Sequence, residues 1–289
     1  MAIPTGWTDS KWRNHLFLVP SLIILTGVTL YPVLYLFRLS LSRRLPIFHI
    51  SKFVGMENYL FLLHDRRFWN ALGHTFYFTG VSVAMEFLLG MGIALLVHRT
   101  FPGKGLMRTI ILIPWAIPTV VSARIWEWIY NPDFGILNHF LGAEINWLGS
   151  PFLAMHAAIF MDVWKTTPFV VLLLLAGLQT LPQDLIRAAR VDGASDWMIF
   201  RRITLPLLRP TILIVLIFRT LDAFRVFDAI YVLTGGGPAN TTETLSIYAY
   251  KVLFQTLQFG YGSALSVTVF LCAGAMTLCY VQQMKRGIR

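Results

Sequence analysis

Six apolar runs, each long enough to cross a lipid bilayer, divide the chain: His15–Phe37, Trp69–Val97, Met107–Tyr130, Phe152–Leu178, Thr211–Tyr231 and Tyr261–Gln282. A hydrocarbon core about 30 Å thick takes about 20 residues of helix. Inside it the backbone has to satisfy its own hydrogen bonds, which favours helices for runs of this length. Hydrophobic residues make up 56% of the chain and charged ones 13%, about half the charged share of a soluble domain. No stretch has the mixed polarity that a soluble domain needs on its surface. The expectation is an all-α membrane protein with six transmembrane helices, forming a single transmembrane domain over residues 1–289. His15–Phe37 is longer than the apolar part of a secretory signal and no A-x-A-like site follows it, so it reads as the first span.

The formal net charge is +10. Nucleic acid is not the expected partner, because the basic residues stand beside apolar runs, where they would meet anionic lipid headgroups. Six spans put both termini on one side. With both termini cytoplasmic, the inner segments carry thirteen basic residues and the outer ones seven, the sense of the positive-inside rule. The inner count draws on Lys11, Arg13, Lys285, Arg286 and Arg289. The first outer loop, with Arg38, Arg43, Arg44, Lys52, Arg66 and Arg67, is more basic than that rule leads one to expect.

Cys272 and Cys279 share the last run. On one helix their Cα atoms would lie about 10 Å apart, too far for a disulfide, so they read as small apolar fillers. Pro32, Pro114, Pro118 and Pro168 each remove a backbone donor inside a run, and kinks are expected there. The outer segment Thr234–Gly260 should hold a helix near Leu245–Gln255, with Leu245, Tyr248, Ala249 and Val252 on one face.

The inner loop of residues 179–210, between the fourth and fifth runs, carries the most pattern. Pro182 with Gln183 and Asp184 starts a short helix. Gly193 stops it, and a second piece, Ser195–Ile203, follows before Pro206 and Pro210 are expected to reset the chain into the fifth span. Ala188-Ala189, Asp192-Gly193-Ala194, Ile203 and Leu205-Pro206 resemble the EAA loop of binding-protein-dependent ABC importer permeases. In that family the loop is a coupling element that docks on the ATPase subunit, a role that would fall here to Arg187, Ala188, Ala189, Asp192, Gly193 and Ala194. Arg187 stands where the family usually has Glu.

The resemblance extends along the chain. Tyr31-Pro32, Phe53–Asn58 (FVGMEN), Gly103-Lys104-Gly105 and Leu233–Pro238 (LTGGGP) resemble the carbohydrate-uptake branch with its maltose-type, MalF-like permeases. Val163–Phe169 (VWKTTPF) and Phe218–Gly236 look like permeases for trehalose, maltose or related glucosides. The resemblance implies the type I ABC importer permease fold in the cytoplasmic membrane. Its partners would be a second homologous permease, two ATPase subunits and an extracytoplasmic solute-binding protein, and the function would be passage of a sugar by alternating access. The chain has no G-x-x-x-x-G-K-[ST], and Gly235–Gly237 runs into Pro238 without the lysine and helix start that a phosphate loop requires. ATP and Mg would therefore be bound by the partner ATPase, and the chain itself is expected to be neither an enzyme nor a metal protein.

Charges inside a bilayer usually face protein or a wet cavity. Asp162 and Lys165 lie about 15 and 20 Å deep in the fourth run, and Asp222 about 16 Å deep in the fifth. Arg219, Asp222, Arg225 and Asp228 step by three residues, so on one continuous helix they would sweep about half its circumference and could not all line a narrow pore. Sugars are held by planar polar groups and aromatic faces, which marks Asp162, Lys165, Thr166, Arg219 and Asp222, with Trp164 and Phe224, as candidate substrate contacts. Glu86 and the Arg124/Glu127 pair read as structural or gating groups. An ion-coupled secondary transporter using Asp162, Asp222 and Glu86 as relay carboxylates is the alternative.

Overall fold

The computed structural model describes the backbone of residues 10–287 and the side chains of residues 18–284, so of the basic residues that set the expected orientation, the side chains of Lys11, Arg13, Lys285 and Arg286 and all of Arg289 lie outside it. The helices and strands are, in order, α1 (Ser10–Leu25), α2 (Tyr31–Ser40), β1 (Ser42–Leu45), β2 (Ile50–Phe53), α3 (Glu57–His64), α4 (Arg66–His98), α5 (Lys104–Ala116), α6 (Thr119–Ile129), α7 (Ile136–Leu141), α8 (Pro151–Gln179), α9 (Gln183–Val191), α10 (Asp196–Ile199), α11 (Leu205–Phe224), α12 (Asp228–Leu233), α13 (Leu245–Tyr250) and α14 (Phe259–Gly287). Among the described residues five helices are long and apolar enough to cross a membrane, and the count is six if the bent pair α5–α6 is one span.

The prolines act in different ways. Pro118 leaves Ile117 extended (ψ 133°), as a residue before proline prefers, and α5 and α6 meet there at 93°. The third run is therefore a bent pair and not one straight span. Pro168 lies inside α8 without interrupting it. Pro32 and Pro206 each follow a π turn, Thr26–Leu30 and Phe200–Thr204, in which the N–H of Tyr31 reaches the Thr26 carbonyl and that of Leu205 reaches Phe200. That wider turn moves the carbonyl a proline ring would meet. The helix consequently runs from Asp196 to Phe224, and Pro206 and Pro210 do not reset the chain as expected.

The described residues group into two compact units, 10–64 with 249–268, and 65–248 with 269–287. In the first, the basic loop after α2 is a hairpin with Arg43 opposite Lys52. Asn58, from the FVGMEN motif, donates to the Ser40 and Ser42 carbonyls at 2.8 and 3.0 Å and fastens the hairpin to α3. In the second, α4 and α8 pack closely: a Cβ on Gly90 would lie 2.5 Å from the Val170 side chain. One apolar cluster gathers Phe78, Met155, Ile159 and Ile230, and another Met91, Val170, Leu174 and Leu208. The expected face of Leu245, Tyr248, Ala249 and Val252 is buried, although the helix turns from α13 into a π turn at Lys251–Gln255.

Candidate functional site

Between those two clusters α4 buries one polar side chain, Glu86, and α8 buries four, Asp162, Lys165, Thr166 and Thr167. Glu86 on α4 is fully buried. Arg219 on α11 donates to it twice, from Nε at 2.5 Å and from Nη2 at 2.8 Å. The same guanidinium donates from Nη1 to Asp222 at 2.6 Å and from Nη2 to Asp162 at 3.4 Å. Thr166 hydroxyl contacts both the Glu86 carboxylate, at 2.7 Å, and the Asp162 carbonyl, at 2.6 Å. The planar guanidinium thus binds three helices through one group, a geometry lysine could not supply. Glu86, which the sequence marks as a structural or gating group, is the anchor of this arrangement.

Beside it opens a cavity of about 550 Å³ lined by Asp162, Lys165, Thr166, Arg219 and Asp222, with Arg225 and Asp228 at the same wall. Here one expectation fails for an instructive reason. α11 ends at Phe224, Arg225 leaves the helix at φ −99° and ψ 18°, and α12 begins only at Asp228. The break cancels the angular sweep of a continuous helix, so Arg219, Asp222, Arg225 and Asp228 all line one cavity. The Asp222 side chain is 56% exposed and stands 3.6 Å from Arg225 as well as against Arg219. Lys165 is buried to 7% exposure at the cavity wall.

The aromatic lining of the cavity differs from the expected one. Phe224 is fully buried and meets Phe76 edge-on. Trp164 packs against Trp126 and lines a separate apolar groove. A helical residue next to a cavity-facing position points away from it, so these neighbours of Lys165 and Ala223 do not line the cavity. The cavity instead takes Trp115, Phe169, Phe218 and Phe227. Trp115 stacks on Phe169 at 5.8 Å, and Phe218 meets Phe169 edge-on at 6.4 Å. Trp115 enters because of the α5–α6 bend, a signal carried in sequence by Pro118. Arg124 and Glu127 pair with each other away from this cavity.

The 179–210 segment forms a helix pair. Asp184 lies in the first turn of α9 and pairs with Arg187 at 2.6 Å. At its end the Asp192 N–H donates to Ala188 and the Ala194 N–H to Ala189. Gly193 sits at φ +79°, which favours glycine. The Ser195 hydroxyl then caps α10 by accepting from Met198. Leu185, Val191 and Trp197 are exposed on this pair.

Residues 86–284 match the protein family described as "Binding-protein-dependent transport system inner membrane component". The chain belongs to that family. It is 44% identical over 273 residues to the trehalose/maltose transport system permease protein MalF of Thermococcus litoralis, covering 93% of this chain and 92% of that one. It is also 44% identical over 280 residues to the trehalose transport system permease protein SugA of Mycobacterium tuberculosis, covering 96% and 91%. Among solved structures, a bacterial ABC transporter involved in import of the acidic polysaccharide alginate superposes with a TM-score of 0.86 over 97% of this chain and 98% of that one, at 23% identity. The fold is thus the type I permease fold of ABC importers, and the protein is a multi-pass membrane permease. Membership of this family sets aside the stand-alone ion-coupled transporter.

Proposed function

We propose that this permease passes a neutral sugar of the trehalose or maltose class across the cytoplasmic membrane, as one of two transmembrane subunits of an importer driven by ATP in partner chains. The observation that carries this is the cavity beside the Arg219 network. It joins fixed carboxylate and guanidinium groups, suited to sugar hydroxyls, with the aromatic faces of Trp115, Phe169, Phe218 and Phe227. Its charged lining is balanced, with Asp162, Asp222 and Asp228 against Lys165, Arg219 and Arg225, which suits an uncharged ligand better than an anion. The names of the 44% identical relatives support the sugar class.

In this reading Asp162, Lys165, Thr166 and Asp222 contact the sugar, while Arg219 holds the three helices that shape the passage. α9 and α10 face the cytoplasm, as both termini do, and present Leu185, Val191 and Trp197 to an ATPase subunit that binds ATP and Mg. The Asp184–Arg187 pair supplies a different charge pattern from the Glu usual at position 187, so the matching ATPase surface differs accordingly. A second permease completes the passage, and an external binding protein delivers the sugar. The test is uptake of labelled trehalose and maltose into proteoliposomes holding the complete importer and its binding protein. Uptake that requires internal ATP is expected. Uptake by this chain alone under a proton or sodium gradient would overturn the reading.

A further inference from the structure

At the α9 end of the bundle a second, unrelated feature stands on α4, α5 and α8. A groove of about 250 Å³ is lined by Val97, Ile111, Leu112, Val171, Leu172 and Leu175, and closed at its polar end by Arg108 and Gln179. The apolar part would accept a hydrocarbon chain. The polar end asks for an anion, because the Arg108 Nε is sealed from solvent and has no hydrogen-bond partner. An arginine near a helix end ordinarily carries its head out to water and phosphates; this one lines the groove with its Nε covered and without a partner.

The surroundings strengthen the same demand. Lys104 lies one turn before Arg108 on the same face of α5, and its ammonium rests against the His98 carbonyl at 3.1 Å. No carboxylate lines the groove, and among the described residues neither Lys104 nor Arg108 has an ion pair. No side chain caps the N-terminus of α5, which leaves its amide dipoles adding to the positive potential. Arg108 stands four residues into α5, about 6 Å along the axis, the depth at which headgroup gives way to acyl chain.

We propose that this groove holds an anionic phospholipid, with its phosphate on Arg108 and Lys104 and one acyl chain along Val97, Leu112, Val171 and Leu175. The assignment to the cytoplasmic leaflet rests on the orientation proposed above; the choice of an anionic lipid does not. Basic pockets between transmembrane helices are known to select acidic headgroups.

The experiment is native mass spectrometry of the complete importer, exchanged in mixed micelles between phosphatidylglycerol and phosphatidylcholine of identical chains. Two unpaired cations predict a preference for phosphatidylglycerol of about tenfold or more. Arg108→Gln should abolish the preference while retaining residual binding, and Ala176→Phe, which fills the groove from its exposed wall, should reduce retention of both lipids. Equal retention of the two lipids by the wild type would overturn the proposal, as would an unchanged preference in Arg108→Gln. Dissociation of the importer by Ala176→Phe with lipid retention unaltered would also overturn it, by showing that protein covers the groove. Lipid retention is read without transport, so failure of ATP-driven uptake in the wild type would count against the functional reading and not against this site.

Discussion

Replacing Arg219 by methionine tests how the three spans around the cavity are held. The change removes the 2.5 and 2.8 Å bonds to Glu86 and the 2.6 Å bond to Asp222. Glu86, with no exposed surface, keeps the Thr166 hydroxyl as its remaining donor among the described residues. Breaking a buried pair from one side costs about 3–5 kcal/mol, because the remaining charge is left uncompensated. Three kcal/mol is a factor of about 150 in the folding equilibrium. The assay is the yield of monodisperse importer after detergent extraction and stepwise heating, and Arg219→Met should fail at the lowest temperatures. The double variant Glu86→Leu with Arg219→Met should recover much of the loss, since replacing both partners by apolar groups leaves no orphan charge. Asp222→Asn should behave differently. Its side chain is 56% exposed, and Arg219 keeps Glu86, so the stability cost should stay below about 1 kcal/mol. That variant should assemble at full yield and lose sugar uptake. If Arg219→Met survives heating like the wild type, or the double variant is no better than the single, the network does not hold the bundle.

Gly193→Val forces a β-branched residue to φ +79°, at a cost of about 1–3 kcal/mol from the backbone alone, since the added Cβ would meet no neighbouring atom; ATPase activity of the importer should persist while uptake per ATP falls, and unchanged coupling would remove the turn from the mechanism. Gly90→Ile would drive its Cβ into Val170 at 2.5 Å, and overpacking of the α4–α8 contact should lower thermal stability by about 1–3 kcal/mol, read as loss of the extracted complex. Trp115→Ala should raise the sugar concentration for half-maximal uptake with little change in yield, because Trp115 lines the cavity and is half exposed; equal dependence on sugar would exclude the Trp115–Phe169 stack from binding. The isolated chain should neither bind nor hydrolyse ATP, and saturable nucleotide binding by the purified single subunit would contradict that.

Span number and order were legible because twenty-residue apolar runs have few alternatives in a bilayer. The helix pair of α9 and α10 was legible because Gly193 and the acidic start at Asp184 are local signals. Distances along a helix were also readable, hence the shared depth of Asp162, Lys165 and Asp222. What could not be read was where the fifth helix ends. Nothing in Phe224-Arg225-Val226-Phe227 announces a break: there is no glycine or proline, and the α region is open to each residue. That break decides which charges share a wall, and it brings Arg225 and Asp228 into the cavity lining. The aromatic lining escaped for a related reason. The 93° bend and the packing of three helices bring Trp115 and Phe218 to the cavity, whereas Trp164 and Phe224 are near its charged residues in sequence alone. Pro206 misled because a π turn upstream absorbs a ring that would break an ordinary α turn.

The claim at the centre of this account is that sugar passes through the cavity walled by α8 and α11. In an importer carrying Cys272→Ala and Cys279→Ala, the Arg225→Cys variant places one thiol at that wall, where the native side chain is 72% exposed. The measurement is the rate at which a water-soluble maleimide alkylates it, with and without a high concentration of the transported disaccharide. The account predicts that trehalose or maltose slows alkylation severalfold while an untransported sugar alcohol does not. Equal rates with and without the disaccharide would contradict it.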